Sequence, residues 1–132
     1  MFIIDEDNTT IKMTRGQSGF ITFSALTPEG DLYTFKRDDI IRLNITKEGR
    51  ENMIVMSIDT RIEDDTNEAS IFIASSNSTI GPVINKPVNY WYDIELNPDT
   101  SLAQMLLGYD DNGPKIFRLY PESVKEEEED GN

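Results

Sequence analysis

The 132-residue chain carries 25 acidic and 12 basic residues, a net charge of −13, with no cysteine and no histidine. The missing thiols exclude disulfides and a cysteine nucleophile, and the missing imidazoles remove the usual general base, the commonest zinc ligand and any Ser-His-Asp triad. So acidic a surface repels phosphate backbones and anionic lipid, so neither nucleic acid nor membrane is the expected partner.

The length fits a single domain with a modest core. The opening "MFIIDEDNTT" is apolar for only four residues. That is far short of a signal-peptide core or a membrane span, and the expectation is a chain held in a cytoplasm until it assembles. Next, "IKMTRGQSGFITF" sets Thr14-Arg15-Gly16-Gln17-Ser18-Gly19 between two apolar-rich segments. A phosphate loop needs GxxxxGK[ST] between strand and helix, and a dinucleotide site needs GxGxxG in a βαβ unit. Neither spacing is present, so the stretch reads as a bend between strands. Arg15, beside that bend, is a candidate solvent-facing contact for a partner.

"FSALTPEGDLYTF" reads as a hairpin turning at Thr27-Pro28-Glu29-Gly30, where Pro28 presets φ and Gly30 takes positive φ cheaply. In "DIIRLNIT" two-residue alternation places Ile41, Leu43 and Ile45 on one face. "NMIVMSIDT" does the same for Ile54, Met56 and Ile58, and "EASIFIAS" for Ile71 and Ile73. "RIEDDTNE" is irregular, and "SSNSTIGPVINKPVN" reads as a long crossover between two sheets. "NYWYDIEL" alternates Tyr90, Tyr92, Ile94 and Leu96 against Trp91. "SLAQMLLG" is a strand or a helical turn, with the strand preferred. "LLGYDDNGPKIFRLY" reads as a hairpin at Asp111-Asn112-Gly113, followed by Pro114 at an edge or first strand position.

No long stretch repeats apolar residues at helical spacing. The fold expected is all-β: an immunoglobulin-like antiparallel sandwich of two sheets and about seven to nine strands, with a small barrel as alternative. It occupies residues 1–121. Residues 122–132, "ESVKEEEEDGN", hold six acids and one lysine, a like-charge block expected to be a disordered, solvated tail. No cofactor, metal or catalytic group is expected. The acidic clusters "DEDN", "EDD" and "DDNG" lack the alternating oxygen ligands and closing Glu of a calcium loop. Carboxylate pairs for glycoside hydrolysis depend on spatial distance, and nothing singles one out. The aromatic residues Tyr90, Trp91, Tyr92 and Tyr109 are candidate interface residues with Arg15. If the tyrosine face of "NYWYDIEL" is the core, Trp91 points outward; if Trp91 is central core, no function follows.

Residues 10–122 resemble small structural proteins of tailed phages and prophages of Gram-positive bacteria. The likeness rests on "IKMTRGQSGFITFSALTPEGDLYTFKRDDIIRLNI", "IGPVINKPVN", "YWYDIELNPDT" and "LGYDDNGPKIFRLYPE". Members typically open on a "MTRGDS"-like phrase, then a hairpin and a "GD.I.L.I" strand. The plan is also similar to the N-terminal domain of phage baseplate upper proteins. Gln17 stands where the family more often has Asp, so an integrin-like reading has no support. The resemblance implies a virion protein without catalysis, docking on other phage structural proteins, often as a symmetric oligomer. A tail or baseplate adaptor is the leading expectation, with capsid-surface decoration or a head-fibre role as the nearer variant. The rivals are a glycan or receptor binder using Tyr90, Trp91 and Tyr92, an acidic DNA mimic, and a carboxylate hydrolase.

Overall fold

Period-two patterning becomes strand after strand in the computed structural model, which describes residues 2–5, 10–27, 29–109 and 113–122, the backbone alone at 2–5 and 51. In chain order these are β1 (Phe2–Asp5), β2 (Thr10–Thr14), β3 (Gly19–Phe23), β4 (Ile40–Lys47), β5 (Arg50–Arg61), β6 (Ala69–Ile73), a helical turn α1 (Ser75–Ser78), β7 (Val88–Leu96), β8 (Gln104–Leu107) and β9 (Lys115–Tyr120). A seven-stranded sheet runs β1-β2-β9-β7-β4-β5, with β8 also on β7, and a two-stranded sheet pairs β3 with β6. The long path is open, ending on β1 and β5, so the molecule is a two-sheet all-β assembly and not a barrel.

Alternation assigns the inner face. Ile41, Leu43 and Ile45 of β4 are fully buried, as are Ile11 and Met13 of β2, Phe117 and Leu119 of β9, and Ile71 and Ile73 of β6. Tyr92, Ile94 and Leu96 of β7 join them. Each buried aliphatic side chain contributes roughly 1.5–3 kcal/mol, so these inward rows dominate the stability. The chain changes sheet at the irregular segments: residues 62–68 lead from β5 to β6, and α1 with residues 79–87 leads back to β7, as expected of a crossover.

Four expectations are corrected. β2 pairs with β9 in parallel, so the sandwich is not wholly antiparallel. A β-bulge lies where Ile45 opposes Met56 but Thr46 opposes Ile54. Val55 is the extra residue, and it turns Ile54 out of the face that holds Met56 and Ile58; Ile54 is 56% exposed. The "TPEGD" turn forms, with Gly30 N–H donating to the Thr27 carbonyl at 2.8 Å and Gly30 at φ +91°. Beside it, however, stands only an isolated Leu26–Leu32 bridge, not a second regular strand.

The fourth correction concerns the segment around "DDNGP". Its residues 110–112 lie outside the described residues, but the flanking strands are clear. β9 pairs with Val88–Tyr92 of β7 and β8 with Ile94–Leu96. Both are antiparallel to β7 on the same side, so β8 and β9 run in series as one interrupted strand instead of a hairpin. The expected tail, from residue 123 on, also lies outside the described residues.

Candidate functional site

The bend "TRGQSG" carries the chain from β2 in the large sheet to β3 in the small one. Gln17 N–H donates to the Thr14 carbonyl at 3.1 Å, and Gly16 takes φ +85°, a conformation that favours glycine. Ser78, buried at the end of α1, accepts from Gly16 N–H at 3.0 Å and donates to the Gln17 carbonyl at 2.7 Å. Arg15 is corrected from solvent-facing to buried, only 7% exposed. Its guanidinium donates to the carbonyls of Ile80 and Gly81, at 3.3 and 2.6 Å, and to Glu122 Oε1 at 3.0 Å. The bend, the crossover and the end of β9 are thereby held by one side chain.

The other four candidates divide between two faces. Tyr92 is buried in the core and Tyr90 packs against it; burial raises the Tyr90 phenol pKa, the nearby Arg15 charge opposing it. With the tyrosine side inward, Trp91 stands on the outer face of the large sheet, half-buried. Its ring meets Tyr109, 66% exposed, edge to face with centroids 6.1 Å apart. Register places Ile54, Thr46, Trp91 and Ile116 in one row across β5, β4, β7 and β9. Thr46 is buried within this row. A hollow of about 110 Å³ beside Trp91 is lined by Thr46, Asp93, Met105, Tyr109 and Lys115 among others. A second, more open hollow lies between the same two rings and Arg50 and Asn52 of β5.

Toward one end of this face the surface turns polar. Arg42 donates from Nε and a terminal nitrogen to both oxygens of Asp59, at 2.7 and 3.0 Å, and from the other nitrogen to Asp99 at 3.1 Å. These hydrogen bonds hold the Asp59 carboxyl below its usual range and raise the guanidinium pKa further. Buried Asn44 donates to Asp93 at 2.9 Å and Glu95 at 3.2 Å, and accepts from Ser57 at 2.9 Å. The result is a hydrogen-bonded polar block beside an aromatic platform.

On the opposite side of the molecule, Phe20 and Phe72 form a second exposed aromatic pair, with centroids 4.9 Å apart. Sequence reasoning missed this pair and the Arg42–Asp59–Asp99 cluster. Alternation marks Phe20 and Phe72 as outward of Ile21, Ile71 and Ile73, but only register reveals that they are cross-strand neighbours. Among the described residues, no group of three His, Cys, Asp or Glu side chains gathers as metal ligands would. No helix among them is long and apolar enough to cross a membrane.

Comparison with protein-family models, with curated proteins and with solved structures finds no match for this chain.

Proposed function

We propose that the chain is a non-catalytic structural protein of a tailed-phage virion, an adaptor or interaction domain of the tail or baseplate. The observation that carries the interaction role is the Trp91–Tyr109 platform, extended by Ile54 and Ile116 across four strands of the large sheet. Aromatic anchors in an apolar patch rimmed by polar groups are what a protein interface is built from. The phage setting comes from the sequence resemblance over residues 10–122. Two sheets with inward alternation support the finer reading of an immunoglobulin-like sandwich. Glu122, where the acidic segment begins, is held by Arg15, and no cofactor is invoked.

Gold-tagged antibody on purified particles tests the assignment. Gold at the tail tip supports the adaptor; gold over the head moves the protein to capsid decoration or a head fibre. No gold, with the protein found in infected cells and its epitopes accessible, overturns the virion reading and brings the acidic DNA mimic forward.

A second reading has its own observation. Arg50, Asn52 and Asp93 line the hollows flanking Trp91, and hydrogen-bonding groups around a stacking ring suit a glycan. Trp91 is the only tryptophan, so its fluorescence reports directly. Quenching by an oligosaccharide, lost in Tyr109→Ala, supports the glycan binder; unchanged emission across a saccharide panel removes it.

A further inference from the structure

Strand β5 closes one edge of the large sheet, and its outer side pairs with nothing among the described strands. Natural edges are guarded by charges, prolines or coverage, because a bare edge templates pairing with another chain. From Asn52 to Ile58 β5 reads "NMIVMSI", without charge or proline, and Met53, Ile54 and Val55 are all exposed. The chain thus leaves an apolar edge segment uncovered, on a molecule whose net charge otherwise keeps copies apart.

We propose that β5 pairs antiparallel with β5 of a second copy, about a two-fold axis between Ile54 and Val55. The bulge sets this register. Ile54 opposes outward Thr46, and a second register shift then pairs Arg50 with Lys47 at the end of the hairpin. It is the hollow that Arg50 and Asn52 share with Trp91 that brings their side chains to the outer face. Beyond Val55 the parity switches, so Ser57 and Asp59, opposite Asn44 and Arg42, are now the outward residues. A two-fold at Ile54/Val55 therefore sets Asn52 opposite Ser57 of the second copy, and Arg50 opposite its Asp59, outer face to outer face. Registers displaced by one residue oppose outward to inward side chains.

Charge complementarity selects a second copy as the occupant. In the Arg42 cluster one guanidinium faces two carboxylates, Asp59 and Asp99, leaving an excess negative charge. Among the described residues the Arg50 guanidinium makes only a 3.7 Å contact to the Met53 sulfur. The two-fold brings each Arg50 to the other copy's cluster and neutralises both. It also joins the two seven-stranded sheets edge to edge, so that the Trp91 platforms face the same way.

Sedimentation velocity across the micromolar range tests this. The expected result is a dimer that Ile54→Lys and Val55→Lys each convert to monomer, with unchanged circular dichroism, since both side chains are exposed. A monomer at every concentration, or a dimer that both lysines leave intact, overturns the proposal. Register is read separately in the double variant Asn52→Cys with Ser57→Cys, in a chain that has no other cysteine. Oxidation is expected to give a covalent dimer; a chain that stays monomeric in the oxidised sample overturns the two-fold. Either failure leaves the virion assignment standing, because that rests on where the protein sits in the particle.

Discussion

At the residue scale Arg15 has the widest reach, tying together segments more than sixty positions apart. Replacing it by Ala leaves the carbonyls of Ile80 and Gly81 and the Glu122 carboxylate without their donor. Urea unfolding of Arg15→Ala is expected to show a loss of about 2–4 kcal/mol. Arg15→Lys recovers only part, because an ammonium lacks the planar fork. A loss below about 0.5 kcal/mol would mean that the clamp is incidental. Asp59 makes a different prediction. Its folded carboxyl pKa lies below the usual 3.8, so the ion pair stabilises the fold above that value and the contribution disappears as pH falls through the folded pKa. Wild type and Asp59→Asn are expected to differ by at most ~1 kcal/mol at neutral pH, the carboxylate being half-exposed. Their stabilities converge in acid. A difference that persists at pH below the folded value would assign the effect to packing.

At the element scale the bulge in β5 separates what alternation can and cannot tell. Ile41, Leu43 and Ile45, or Tyr92, Ile94 and Leu96, were legible because each strand keeps strict period two and one face is buried. Ile54 was not, since a single extra residue inverts the parity and leaves no mark in composition. The series arrangement of β8 and β9 was hidden for a related reason. A strong turn signal fixes a local reversal or excursion, but which strand each flank pairs with is decided by β7. Arg15 was misjudged because its acceptors are two crossover carbonyls and one carboxylate, all distant in sequence. The Trp91 face was legible as an alternative, and burial of the tyrosine side decided it. Deletions test the bulge. Without Val55 the pairs Ile45–Met56 and Thr46–Ile54 become consecutive, which removes the first of two register shifts in the ladder and leaves the one between Thr46 and Lys47. Thermal stability is therefore expected to change by less than ~1 kcal/mol. Deleting Ser57 instead forces either Met56 or Ile58 onto the wrong face, and a melting loss several-fold larger is expected. Equal losses would show that Val55 is a paired residue and not an insertion.

At the scale of the whole molecule, net charge and strand order set the behaviour. With 25 acids against 12 basic residues, the folded state repels itself, and salt screens that over about 10 Å at 0.1 M. The melting temperature is therefore expected to rise with sodium chloride from low ionic strength; a fall would show that ion pairs such as Arg42–Asp59 outweigh the general repulsion. The parallel ladder between β2 and β9 has a mechanical meaning. Thr10 begins β2 at one end of the pairing and Tyr120 leaves β9 at the other, with four register pairs between. Once β1 is peeled away, tension applied through the two chain ends acts along these strands in opposite directions. It shears the ladder, loading its hydrogen bonds together instead of unzipping them one by one, and the Arg15–Glu122 pair sits at the end where β9 is pulled. A protein drawn on from both ends in this way resists as a catch does, up to a threshold force and then all at once.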